Sequence, residues 1–327
     1  MNREDWNGCY SGGWQAAPLV AEAYSHPAKV SFTLADRIYR HMLAEGWLSP
    51  GDVVVDPFGG VGGFAFHAAL YGMHFRGVEL EQKFVDLGNQ NIDLWRDRYA
   101  PHFPNYGTAT LVQGDSRRLV EVVTGAAGVV SSPPYSEARI GGLESMRRSN
   151  DAIGDYGTTP GQLGAMPAGV VTSPPFEASL QSKDELFNAE TRPGRTMQVA
   201  TYGSDPGNIG NNTGDTFWGA AATIVEQCYE ILKPGGYAAF VTGDFVRNKK
   251  RVPFGEQWLA LCEACGFEPV LWAVAHKSEY NGTQRSMFGD DVELTKTRVS
   301  FFRRLANQNN PDAAITNEDV IFVRKPL

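Results

Sequence analysis

"GDVVVDPFGGVGGFAFHAALYGMHFRGVELE", residues 51–81, holds two structural periods joined by a glycine turn. In residues 52–56, "DVVVD", three apolar, β-branched valines are closed by an acid, which reads as a short buried strand. "PFGGVGG" follows as a loop, "FAFHAALYGM" as a helical stretch and "HFRGVELE" as a second strand. A strand, a crossover helix and another strand form a βαβ unit, the building block of an open parallel sheet. The place where such a strand meets its helix is where α/β sheets bind ligands. Glycines there let the backbone approach closely, and the helix start adds the positive end of a dipole. Taken alone, the turn is also compatible with a tight structural bend. Two acids strengthen the ligand reading. Glu79 ends the second strand, 23 residues after Asp56, placed to accept hydrogen bonds from ribose hydroxyls. Asp115 ends a third strand in "QGDS", placed to meet an adenine amino group. The turn lacks the GxGxxG spacing of dinucleotide binders and the GKS or GKT of a P-loop, so neither NAD nor ATP is favoured.

Outward from this unit the alternation continues. "TLADRIYRHMLAEGWL" at 33–48 has helical spacing, "ATLVQGD" is the third strand and "GVV" at 128–130 a fourth. "TFWGAAATIVEQCYEILKPGG" reads as a helix with a Pro-Gly-Gly stop, followed by the strand "YAAFVTGDF". Then come the helix "FGEQWLALCEACGF" and the strands "EPVLWAVAH" and "EDVIFVRKP". The order argues for a doubly wound α/β domain. Residues 136–216 differ: Gly, Ser, Asn, Thr and Asp dominate, and apolar periodicity is poor. The expected organisation is therefore 1–135 as the first half of the domain, 136–216 as a polar insertion and 217–327 as the second half.

With 327 residues and 42% hydrophobic composition, the chain has enough apolar material for a full core. No membrane span is expected, because no apolar run of about 18 residues occurs. The N-terminus "MNREDWNGCYSGGW" does not read as a signal peptide, and Cys9, Cys228, Cys262 and Cys265 read as reduced core thiols, so a cytoplasmic location is expected. No metal is expected either, since the CxxC at 262–265 has no second ligand pair. The net charge of −8 argues against a protein that coats nucleic acid non-specifically. It leaves room for a local grip, because "RNKKR" at 247–251 and "KTRVSFFRR" at 296–304 concentrate basic residues. Arg247, Lys249, Lys250 and Arg251 follow the fifth strand, and would emerge at the carboxyl edge of the sheet as phosphate contacts. Arg298 is a weaker candidate. His26 and His276 read as structural.

One phrase is written twice. "GVVSSPPYSE" at 128–137 and "GVVTSPPFEA" at 169–178 each join an apolar run to a small hydroxyl residue, two prolines and an aromatic, with Ser132 and Ser173 41 residues apart. Together with "DPFGG", this motif resembles the DNA amino-methyltransferases, which methylate the exocyclic nitrogen of cytosine or adenine with S-adenosyl-L-methionine. The resemblance covers most of the chain: "HPAKVSF" at 26–32 matches the segment before the cofactor strand, "DPFGGVGG" the cofactor loop, "FRGVELE" the ribose-binding acid and "QGDS" the adenine turn. "ILKPGGYAAFVTGD" and "EDVIFVRKP" match the segments after the catalytic loop.

The resemblance implies a class I methyltransferase fold, with a doubly wound, mostly parallel seven-stranded sheet interrupted by a polar insertion for target recognition. It implies a cofactor site of Lys29, Phe32, Asp56, Pro57, Phe58, Gly59, Gly60, Gly62, Glu79 and Asp115. It places catalysis on Ser132, Pro133, Pro134 and Tyr135, with Ser173, Pro174, Pro175 and Phe176 as an alternative or additional copy at the active site. The chemistry suits these residue types. An exocyclic amine is a poor nucleophile until acceptors draw its two hydrogens out of the ring plane. A serine hydroxyl and a proline carbonyl, held by the fixed φ of the diproline, are such acceptors. The aromatic stacks on a base rotated out of double-stranded DNA. Only one position beside the first strand exists for a catalytic strand. A short crossover from Asp115 and the presence of Tyr135 favour the first copy, whereas the spacing from Phe176 to Phe217 fits the second. Serine as the first motif residue favours cytosine N4, with adenine N6 as the alternative. A catalytically silent nucleic-acid-binding partner of a methyltransferase is a further alternative. A companion restriction endonuclease is compatible with this reading, and neither it nor the oligomeric state is legible in the sequence.

Overall fold

Residues 2–6, polar but for Trp6, pair in parallel with a strand from the far end of the chain, 268–276. In the computed structural model, this pairing closes one edge of a single eight-stranded sheet. The structure describes residues 1–11, 13–25, 29–123, 126–131, 215–247, 250–285, 291–297 and 314–327. The strands are β1 (Asn2–Trp6), β2 (Val53–Asp56), β3 (His74–Glu79), β4 (Ala109–Gln113), β5 (Ala126–Ser131), β6 (Leu232–Thr242), β7 (Phe245–Arg247), β8 (Lys250–Val252), β9 (Glu268–His276), β10 (Ser278–Arg285), β11 (Asp291–Thr297) and β12 (Asn317–Arg324). The helices are α1 (Phe32–Ala44), α2 (Ala65–Leu70), α3 (Gln82–Tyr99), α4 (Leu119–Val122), α5 (Asp215–Ile231) and α6 (Phe254–Ala264).

The main sheet runs β1-β9-β12-β6-β5-β2-β3-β4. Only β12 is antiparallel to its neighbours β6 and β9. The expected doubly wound, mostly parallel sheet is present with its seven strands, and β1 adds an eighth. Both halves of the chain contribute strands, and α5 begins at Asp215, just inside the range expected for the insertion. β7–β8 and β10–β11 are separate antiparallel hairpins, which follow the carboxyl ends of β6 and β9.

Alternation along the strands separates two cores. Val54, Ala239, Val241, Val320 and Phe322 join Ile38, Tyr39, Phe66, Ile92 and Trp95 on the face of α1, α2 and α3. Val55, Ala238, Phe240, Ile321 and Val323 join Ile224, Val225, Cys228, Trp258 and Cys262 on the other face, under α5 and α6. The Pro-Gly-Gly expected to stop a helix is carried instead at the start of β6, where Gly235 takes φ +76° and the pairing with β5 shifts register between Ala126 and Gly128. The helix itself ends earlier, at Ile231. No helix among the described residues is long and apolar enough to cross a membrane.

Candidate cofactor site at the switch of strand order

β2 lies between β3 and β5, so the chain leaves it to one side and returns on the other. That reversal opens a crevice at the carboxyl ends of the strands. The cleft there is lined by Lys29, Val30, Asp56, Phe58, Gly59, Gly60, Val61, Gly63 and Phe64.

Its glycine bend is fixed from every side. Asp56, 2% exposed, accepts the Phe58 N–H at 2.9 Å, a local turn that starts the bend. The Gly59 N–H donates to the Val78 carbonyl at 2.8 Å, and the Gly60 N–H to Glu79 Oε2 at 3.1 Å. The Ser116 hydroxyl donates to the Pro57 carbonyl, which ties the bend to the "QGDS" turn. Gly60 and Gly62 adopt φ +51° and +83°, conformations that side chains rarely take. A Cβ on Gly59 would stand 3.2 Å from the Gly77 Cα and one on Gly88 3.2 Å from the Val61 carbonyl carbon, so glycine at both positions lets bend, β3 and α3 approach closely.

The acids behave differently from one another. Glu79 also accepts the Glu81 N–H at 3.0 Å, and burial pushes its carboxyl up to about 7 despite these donors. Asp115 accepts the Arg117 N–H at 3.0 Å and pairs with its guanidinium, Nε lying 3.0 Å from both oxygens. Lys29 donates to the Tyr24 carbonyl at 2.9 Å, and burial lowers its amine to about 8. Phe32 is packed against Trp14, Phe66 and His67.

β5, the strand that leads into the first diproline phrase, occupies the slot between β2 and β6. Val54 pairs with Gly128 and Val55 with Val129. Ser132, Pro133, Pro134 and Tyr135, like Ser173, Pro174, Pro175 and Phe176, lie outside the described residues, as do Lys249, Arg298 and His26. Of the basic run, the backbone of Arg247 lies in β7, while Lys250 is exposed on β8. Arg251 is committed within the chain: its Nε lies 2.6 Å from Asp244, which also receives the Gly255 N–H at 3.4 Å at the start of α6. His276 pairs with Asp5 at 2.7 Å. All four cysteines are free thiols. No cluster of three potential metal ligands occurs among the described residues.

Sequence reasoning missed two contributors. Asn91, on the buried stripe of α3, donates to the Val61 carbonyl at 3.0 Å. Residues 13–24 lie along α3, with the Pro18 carbonyl accepting from Trp95 Nε1 at 2.9 Å. A polar residue at helical spacing among Phe84, Gly88, Ile92 and Trp95 was the available signal for Asn91.

No protein-family model matches the chain. It is 30% identical over 95 residues to the type II methyltransferase M.BglI of Bacillus subtilis, covering 29% of this chain and 26% of that protein. It is 35% identical over 80 residues to the orphan methyltransferase M.BamHII of Bacillus amyloliquefaciens, covering 24% and 28%. The chain thus spans about a quarter of the length of the curated relatives it matches. Among solved structures, TrmN from Thermus thermophilus superposes with a TM-score of 0.41 at 13% identity, over 93% of this chain and 52% of that one. A SAM-dependent methyltransferase from Methanosarcina mazei gives 0.41 at 11% identity, over 87% and 97%. The fold is defined by the strand order, with β2 between β3 and β5 and β12 antiparallel beside β6.

Proposed function

We propose that the chain is an S-adenosyl-L-methionine-dependent methyltransferase acting on an exocyclic amino nitrogen of a base extruded from double-stranded DNA, with cytosine N4 as the favoured acceptor. The observation that carries this reading is β5: the strand ending one residue before Ser132 runs beside β2 and its glycine bend. The methyltransferase part is also supported by the two partial relatives.

The cleft suits the cofactor chemically. Asp56 matches the ammonium of its methionine end and Lys29 the carboxylate, while Glu79 keeps acceptor capacity for a ribose diol beside the two backbone donors it already binds. When bound, the cofactor supplies a sulfonium methyl as electrophile. The remaining work is positional and electrostatic. Ser132 and a carbonyl of the diproline would accept hydrogen bonds from the two amino N–H groups, which frees the nitrogen lone pair to form the N–C bond as the S–C bond breaks. The thioether product leaves with the sulfur electron pair, the surplus amino proton passes to solvent, and Tyr135 stacks on the base. The second phrase, at 173–176, lies within the target-recognition insertion of 136–216. Arg247, Lys249, Lys250 and Arg298 meet phosphates.

The test is transfer of an isotope-labelled methyl group from S-adenosylmethionine to duplex DNA, followed by digestion to nucleosides and mass analysis. N4-methylcytosine supports the proposal in full, and N6-methyladenine keeps the class but moves the acceptor. Cofactor binding with no transfer to any nucleic acid would favour the silent-partner reading.

A further inference from the structure

The side chain of Asn91 joins the glycine bend to the N-terminal segment. Asn91 is wholly buried, and both ends of its amide are used. Nδ2 donates to the Val61 carbonyl in the bend at 3.0 Å, and Oδ1 accepts the Val20 N–H at 2.7 Å. The strap of residues 13–24 is held along α3 by further contacts of the same helix. Trp95 donates to the Pro18 carbonyl at 2.9 Å and stacks on Trp14 at 5.9 Å, and Tyr99 donates to the Ala16 carbonyl. The strap leads toward Lys29 and Val30, which line the cleft itself. Val30 also presses on the bend, since a Cβ on Gly63 would stand 2.8 Å from its Cγ1.

We propose that Asn91 is a positioning residue that makes seating of the strap and binding of the cofactor one equilibrium. This rests on the reading of the cleft as the cofactor site. The physical ground is satisfaction of buried backbone. Lifting the strap takes the Val20 N–H from Asn91 Oδ1, and shifting the bend takes the Val61 carbonyl from Nδ2, so either movement costs this fully buried amide one of its two hydrogen bonds. The low-energy arrangement has both seated. A ligand that binds only the seated bend therefore stabilises the strap by mass action.

Amide hydrogen exchange on the full chain, with and without S-adenosylmethionine, reads this out directly. In the wild-type protein the Val20 amide should exchange more slowly as cofactor is added, by about 100-fold at 100 times Kd, up to the limit set by global unfolding. In Asn91→Asp the acceptor toward Val20 remains, but an oxygen faces the Val61 carbonyl. There the cofactor should bind at least roughly tenfold more weakly, and its effect on Val20 exchange should vanish. Asn89→Ala is the control, because the Asn89 amide pairs with both backbone groups of Leu111 at 2.9 Å and touches neither strap nor bend through a hydrogen bond. It should lower the melting temperature yet keep the cofactor-dependent protection at Val20. Wild-type protein that binds cofactor without any change at Val20 would overturn the proposal, whatever the variants do. Wild-type protein that binds no cofactor would overturn the reading of the cleft and this inference with it.

Discussion

At the carboxyl end of β3, Glu79 spends one lone pair of each carboxylate oxygen on the backbone N–H groups of Gly60 and Glu81. Burial nevertheless holds its pKa near 7, so at neutral pH a bound diol would draw the group toward its ionised form. Binding should then release a proton. Kd for S-adenosylmethionine should fall as pH rises from about 5 to about 7, by up to roughly tenfold per unit below the free-state pKa of Glu79, and should rise again above about 8, where Lys29 loses the charge that meets the cofactor's carboxylate. Calorimetric titrations in buffers of different ionisation enthalpy measure the proton directly. Glu79→Gln should flatten the profile and weaken binding. Without ligand the sign for stability is the reverse. The folded chain holds this proton more tightly than the unfolded one, so the contribution is full below the ordinary carboxylate range and lost as pH rises through about 7. Asp56 and Glu79 were legible because each is an acid at the end of an apolar run. The engagement of Asp115 by Arg117 was not, because an ion pair two residues apart depends on how the turn at 116–118 folds.

Among elements, the bend and α3 meet closely at Gly88. A Cβ on Gly88 would lie 2.8 Å from Leu111 Cδ2 and 3.4 Å from the Gly60 carbonyl. Gly88→Val should push α3 away from the bend and cost about 1–3 kcal/mol by overpacking, seen as a lower denaturation midpoint together with weaker cofactor binding. The β7–β8 hairpin makes a different prediction. Since Arg251 is bonded to Asp244, which in turn caps α6, Arg251→Ala should lower stability by roughly 1 kcal/mol. Lys250→Ala should leave stability unchanged and reduce the salt dependence of DNA binding by about one phosphate contact. The element types were readable from their periods, and the error at Lys233–Gly236 has a plain cause. Pro-Gly-Gly marks a break, but only tertiary pairing with β5 decides that the break belongs to the strand.

Across the whole molecule, the two ends of the sequence share one sheet edge, with β1 on β9 and Trp6 buried against Phe322 at 5.8 Å. Trp6→Ala should cost roughly 3–5 kcal/mol and release β1, exposing the edge of β9. A fall in melting temperature together with faster exchange of β9 amides would register it. The seven core strands could be read because apolar runs alternate with helices. β1 could not, because "NREDW" exposes four of its five residues and takes its place only from its partner. A crystal structure of the complex with S-adenosylmethionine tests the role of the glycine bend at the switch of strand order most directly. The cofactor should be seated between Lys29, Asp56 and Gly59–Gly60, with its ribose on Glu79 and its methyl toward the end of β5. Cofactor bound elsewhere on the chain, with this cleft empty, would contradict it.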